Sequence, residues 1–80
     1  MSDMTALSDL RTGDTALVAS LDRLPAETAH RMRCLGFEPG MSVTAVRRAP
    51  LGDPAIYRVC DAEICLRKAE ACRIDVASGE

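Results

Sequence analysis

Aromatic side chains are almost absent from this chain: its 80 residues hold one Tyr, one Phe and no Trp. Single-stranded nucleic acid is gripped by stacking bases on aromatic rings, and two rings cannot build such a platform. The formal net charge is −2, so no bulk positive field draws in nucleic acid or an anionic membrane surface. No apolar run approaches the length of a membrane span. Residues 1–8 lack both the basic start and the apolar centre of a secretory signal. There are four cysteines but no Cys-x-x-Cys pair, which fits a reducing compartment better than a disulfide framework. The chain is therefore expected to be cytoplasmic.

Catalytic groupings are missing too. Ser8, Ser20, Ser42 and Ser78 have no histidine partner that would make a triad, and the carboxylates are scattered over turns instead of paired across a cleft. No Gly-rich loop leads into Lys-Ser or Lys-Thr, which excludes P-loop nucleotide hydrolysis. The expectation is a non-enzymatic protein.

What is present is ordinary globular material, 48% hydrophobic and 28% charged. A chain this short buries roughly 60% of its unfolded surface, so one domain with a thin core is expected. With so few rings that core should be aliphatic. The reading is a single domain over 1–80, with 1–6 and 77–80 frayed.

Apolar alternation marks the strands. Thr15–Ser20 reads as the first, with Ala16 and Val18 inward and Leu21 closing its end. Strands follow at about 41–47, 55–60, 63–66 and 73–76, with Ile64, Leu66, Ile74 and Val76 on the core side. Between the first two lies the clearest helix. Pro25 suits a first helical position, Glu27 favours the positive end of the dipole, and Ala29, Met32 and Leu35 form an apolar stripe. Gly36 is the left-handed stop, with Phe37 folding back on Met32 in a Schellman closure. Thr12-Gly13-Asp14 and Glu38-Pro39-Gly40 are turns, the latter of type II. Residues 67–71 form helix well but are too few for more than one turn. Together these predict a mostly β fold. It is a small SH3-like, five-stranded antiparallel barrel with one helix inserted after the first strand and a short helical turn before the last.

The loop at 49–54, Ala-Pro-Leu-Gly-Asp-Pro, is too long for a two-residue hairpin. Its prolines restrict the backbone and remove donors, so it should project as a semi-rigid arm with Leu51 near the tip.

At this point the chain resembles the FeoA family, small cytosolic accessory proteins of bacterial ferrous-iron uptake. The match runs from about Leu7 to Val76. It rests on Leu10, Gly13, Ala16 and Val18, on Arg33-Cys34-Leu35-Gly36-Phe37-Glu38-Pro39-Gly40, on Arg48-Ala49-Pro50-Leu51-Gly52-Asp53-Pro54, on Cys65-Leu66-Arg67-Lys68-Ala69-Glu70-Ala71 and on Ile74-Asp75-Val76. The resemblance implies an SH3-like barrel that docks on the cytosolic domain of an FeoB-type transporter, peripheral to the inner face of the membrane. Nucleotide hydrolysis would belong to that partner. The family often has glycine where Asp61 stands; aspartate tolerates left-handed geometry, so the turn should survive, slightly destabilised. The four cysteines fall outside the family pattern.

Candidate contact residues are Arg47, Arg48, Pro50, Leu51, Gly52, Asp53, Arg67 and Lys68, a polar rim around an apolar tip. The bland alternative is that Arg47, Arg48, Arg58, Arg67 and Lys68 are solvated charges paired with Asp53, Asp61, Glu63 and Glu70. Arg67 should reach Asp53 and fix the arm. The protruding arm also allows self-association. Cys60, Cys65 and Cys72 are weak candidates for a transition-metal site, Cys60 and Cys65 flanking one turn; the alternative is that each is a small hydrophobe. No resident cofactor is expected. His30 reads as a surface histidine without a role, and Met32 and Met41 as core residues. No ligand set suits ferrous iron, which prefers imidazole and carboxylate oxygen. Two further readings are a metal-responsive barrel of the kind found beside the DNA-binding domain of metal-dependent repressors, and a cysteine-ligated metal module.

Overall fold

The computed structural model describes residues 5–78. Its elements are β1 (Thr5–Ala6), a 3-10 turn (Leu7–Asp9), β2 (Thr15–Ser20), α1 (Ala26–Cys34), β3 (Ser42–Arg48), β4 (Ala55–Val59), β5 (Ala62–Leu66), α2 (Lys68–Ala71) and β6 (Asp75–Ser78). All pairings are antiparallel in the order β1-β6-β2-β3-β4-β5. The mostly β, SH3-like arrangement read from the sequence is present, with helices where they were expected.

Two corrections concern the sheet. It has six strands because Thr5 and Ala6, expected to fray, pair with Val76 and Asp75. Ala77 and Ser78 likewise pair with Leu17 and Ala16; residues 1–4 and 79–80 lie outside the described part. The barrel is also not closed, for β1 and β5 do not pair. The gap between them is spanned by packing of the 3-10 turn against α2. Arg48, at the end of β3, ties the 3-10 segment to the sheet, its guanidinium donating to the backbone carbonyls of Ser8 and Leu10. A shift in the β3–β4 register between Ala45 and Arg47 sets Val46 as an extra residue, a bulge that bends the strand there.

The stop of α1 follows from its residues. Phe37 N–H donates to Met32 O at 2.9 Å and Gly36 N–H to Arg33 O at 3.0 Å, the paired bonds of a Schellman closure. Gly36 supplies the φ of +106° that this needs. Pro25 caps α1 instead of opening it, one residue earlier than read. Leu35 leaves the predicted stripe and is 41% exposed, because the chain reverses just after it and Phe37 takes the inward place. The type II turn holds: Met41 N–H reaches Glu38 O at 3.0 Å, with Gly40 at φ +93°.

The core takes Leu7, Val18, Leu21, Met32, Val43, Val59, Ile74 and Val76 from every layer. It is aliphatic, but the two rings sit at its centre: Phe37 and Tyr57 are its largest fully buried side chains. Each such side chain contributes about 1.5–3 kcal/mol by leaving water, so these two hold a large share of a thin core.

Candidate functional site

The loop between β3 and β4 is a built object. Gly52 N–H donates to Ala49 O at 2.7 Å, and Ala49 N–H to Pro54 O at 3.0 Å. Proline at the second place of this turn and glycine at the fourth are the residues such a turn favours. Leu51 is left at the tip, 96% exposed.

The loop's far end is tied to α2. The backbone N–H of Lys68 donates to Asp53 Oδ1 at 2.9 Å. The first N–H groups of a helix have no partner within it, and Arg67, at the cap position, supplies no side-chain bond. Asp53 serves one of them from just beyond the end of β4, whose Ala55 pairs with Leu66. This corrects the expectation of an Asp53–Arg67 ion pair: the loop is held by the helix backbone, and the described salt bridges do not include Arg67.

Beside the loop lies a concavity of about 340 Å³ in the gap between the two ends of the sheet. Of the eight predicted contact residues, Arg48, Leu51, Gly52, Asp53 and Lys68 line it. Arg47, Pro50 and Arg67 do not. Successive strand residues point to opposite faces, so Arg47 and Arg48 cannot share one patch. Ser8, Asp9 and Arg11 complete the rim, and Ala55 and Tyr57 lie deeper. Ser8, Asp9 and Arg11 were missed because only the long-range return of the 3-10 turn brings them there, and Ala55 and Tyr57 because they were read only as strand residues. Burial pushes the Tyr57 hydroxyl above its ordinary pKa of 10.0, the nearby Arg48 pulls it down, and Asp53 pushes it up. The site thus offers an apolar knob and a mixed rim of guanidinium, ammonium and carboxylate groups, the anatomy of a contact surface.

The remaining charges are partly paired as the bland reading had it. Arg58 meets Glu63 at 2.8 Å, while Glu70 pairs with Arg31 at 2.7 Å.

The cysteines do not converge. Cys60 occupies the β4–β5 turn, whereas Cys65 pairs with Ile56 well down β5, about 10 Å of strand beyond Ala62. Cys72 lies past α2, with Sγ near Ala69 O. Among the described residues no three His, Cys, Asp or Glu side chains gather around a point where a cation could sit.

An antiparallel, SH3-like sheet with a projecting, internally bonded loop places the chain among the small SH3-like β domains. It belongs to the FeoA family: the FeoA domain model matches residues 5–78. The chain is 40% identical over 72 residues to an Fe(2+) transport protein A/Fe(2+) transporter FeoB fusion protein of Porphyromonas gingivalis, spanning 88% of this chain and 8% of that one. The solution structure of an FeoA protein from Chlorobium tepidum superposes with a TM-score of 0.89 at 32% identity, covering 95% of this chain and 71% of the other. A Stenotrophomonas maltophilia FeoA, solved in complex with zinc and named a prokaryotic SH3 domain protein, has a TM-score of 0.76 at 35% identity, covering 95% and 88%. A manganese-dependent transcriptional repressor has a TM-score of 0.85 at 19% identity, covering 98% and 43%. That last likeness is one of fold alone.

Proposed function

We propose that this chain is a cytosolic, non-enzymatic accessory protein of ferrous-iron uptake that docks on the cytosolic domain of an FeoB-type transporter. The sheet is the rigid scaffold, and the loop at 49–54 is the anchor. The observation that carries this is Leu51, 96% exposed on a loop fastened by its own turn and by Asp53 to Lys68. An apolar side chain held out in water by a braced loop loses little conformational freedom when it enters a partner's pocket.

The Porphyromonas gingivalis relative supports the choice of partner, since it carries a transport protein A and a FeoB transporter in one polypeptide. Fusion of that kind raises the effective concentration of two parts that meet. A loop tip of this size makes a small interface, and such interfaces are of modest affinity. A net charge of −2 and two aromatic rings argue against nucleic acid as the partner.

A pull-down of the transporter's cytosolic domain by the tagged chain, with and without guanine nucleotide, tests the reading. Specific capture supports it and shows whether nucleotide gates the contact. Absence of capture in both conditions contradicts it.

A further inference from the structure

We propose that the concavity beside the loop at 49–54 is a carboxylate-binding site, built by the Tyr57 hydroxyl and the Arg48 guanidinium and filled by an Asp or Glu side chain of the docked transporter domain. The occupant rests on the docking reading; the site itself does not. Tyr57 is 1% exposed, with its ring in the core. Buried polar atoms almost always have a hydrogen-bond partner. Among the described residues no hydrogen bond uses this hydroxyl, yet it is not a sealed, unpartnered atom either. Its oxygen therefore opens on the cavity whose wall Tyr57 forms. Burial holds its pKa above 10.0, so at neutral pH it is a proton donor waiting for an acceptor.

Arg48, on the same wall, is fixed by neutral acceptors. One of its terminal nitrogens donates to Ser8 O at 2.8 Å and also to Leu10 O. Carbonyls orient a guanidinium without cancelling its charge, and its remaining N–H groups stay unengaged among the described residues. A cation held in place beforehand loses little freedom when an anion arrives, and hydrogen bonds between charged groups are the strong ones. Three cations, Arg11, Arg48 and Lys68, line the cavity with two carboxylates, Asp9 and Asp53, a surplus of one positive charge. None of the three cations joins a described salt bridge, since Asp53 accepts the Lys68 backbone N–H and Asp9 the Thr5 hydroxyl. One carboxylate balances that surplus. A phosphate group, with nearly two negative charges, would overbalance it and face Asp9 and Asp53. The volume of about 340 Å³ lies at the small end of ligand pockets, room for a side chain. Leu51 stands on the same rim, so one partner surface can present a socket to the leucine and an acid to the cavity.

The test has two arms. In the first, the full isotope-labelled chain is titrated with acetyl-glutamate-amide, followed by amide NMR, and separately with acetyl-glutamine-amide and with inorganic phosphate. The glutamate probe should bind in roughly the millimolar range for its size. It should give saturable shifts around Arg48, Gly52, Tyr57 and Lys68 that the other two do not produce. Tyr57→Phe keeps the ring in the core and should weaken the probe about tenfold or more, the worth of a hydrogen bond to a charged group. Arg33→Gln, exposed on α1, should bind like the parent. In the second arm, capture of the transporter's cytosolic domain should weaken to the same extent in Tyr57→Phe, with melting at neutral pH unchanged. The proposal is overturned if glutamine or phosphate shifts the same residues as strongly, if glutamate gives no saturable shift, or if Tyr57→Phe keeps full affinity in either arm. A parent chain that captures nothing would overturn the docking reading and the named occupant, while the glutamate titration would still show the site.

Discussion

Asp53 and Lys68 meet through a single bond, the helix-opening N–H of Lys68 donating to the Asp53 carboxylate at 2.9 Å. It links the loop that carries Leu51 to the short helix that follows β5, at the end of the sheet where Ala55 pairs with Leu66. Asp53→Ala leaves that N–H without its partner, a loss of about 1 kcal/mol by the measure of helix caps. Arg67→Ala should change stability by a few tenths at most, and the double variant should equal the sum within about 0.5 kcal/mol. Chemical denaturation of the four proteins checks this; strong coupling would restore the side-chain pair.

The β4–β5 hairpin turns on Cys60 and Asp61, both at positive φ (50° and 66°). Val59 pairs with Ala62 across them, so this is the two-residue turn in which glycine is favoured at the second place. Asp61→Gly should stabilise the fold by about 0.5 kcal/mol, relief of left-handed strain being partly offset by a freer unfolded chain. A higher melting temperature confirms it, and a lower one refutes it.

Gly36 is constrained twice. Its φ is +106°, and an added methyl would stand 3.2 Å from Cys60 Sγ. Gly36→Ala should destabilise by more than about 1 kcal/mol. Pairing it with Cys60→Ala should recover only the steric part, since the backbone strain remains. Full recovery in equilibrium unfolding would show that contact alone matters.

Tyr57 ties stability to alkaline pH. Burial raises its pKa above the ordinary 10.0, so the folded state keeps the proton after the unfolded chain has lost it. The resulting stabilisation is whole below pH 10.0 and falls as pH rises from there through the folded value. Tyr57→Phe should flatten that decline while leaving the neutral-pH slope unchanged. Unfolding free energies between neutral and strongly alkaline pH measure the difference.

The local grammar of the chain was legible. Pro39-Gly40, the Gly36-Phe37 stop and the alternation around Val43, Tyr57 and Val59 specify their own geometry, because turns and strand faces depend on neighbours in sequence. The exposure of Leu51 was legible for the same reason. What was not legible came from long-range return. Thr5 and Ala6 carry no strand signal of their own and pair only because β6 offers an edge. Asp53 finds Lys68, 15 residues on, because α2 opens with an unsatisfied donor. Arg48 reaches two carbonyls of a turn 40 and 38 residues earlier. Leu35 fitted the helical stripe by spacing, but the chain reversal at Gly36 gave its inward place to Phe37.

Leu51 is proposed to grip a partner from a braced loop. Substituting Leu51→Asp changes a side chain that touches little of its own fold, so circular dichroism and melting should match the parent protein. Co-purification with the cytosolic domain of the FeoB-type transporter is the deciding measurement. Co-purification should be lost in this variant; undiminished recovery of the complex would show that Leu51 is not the anchor.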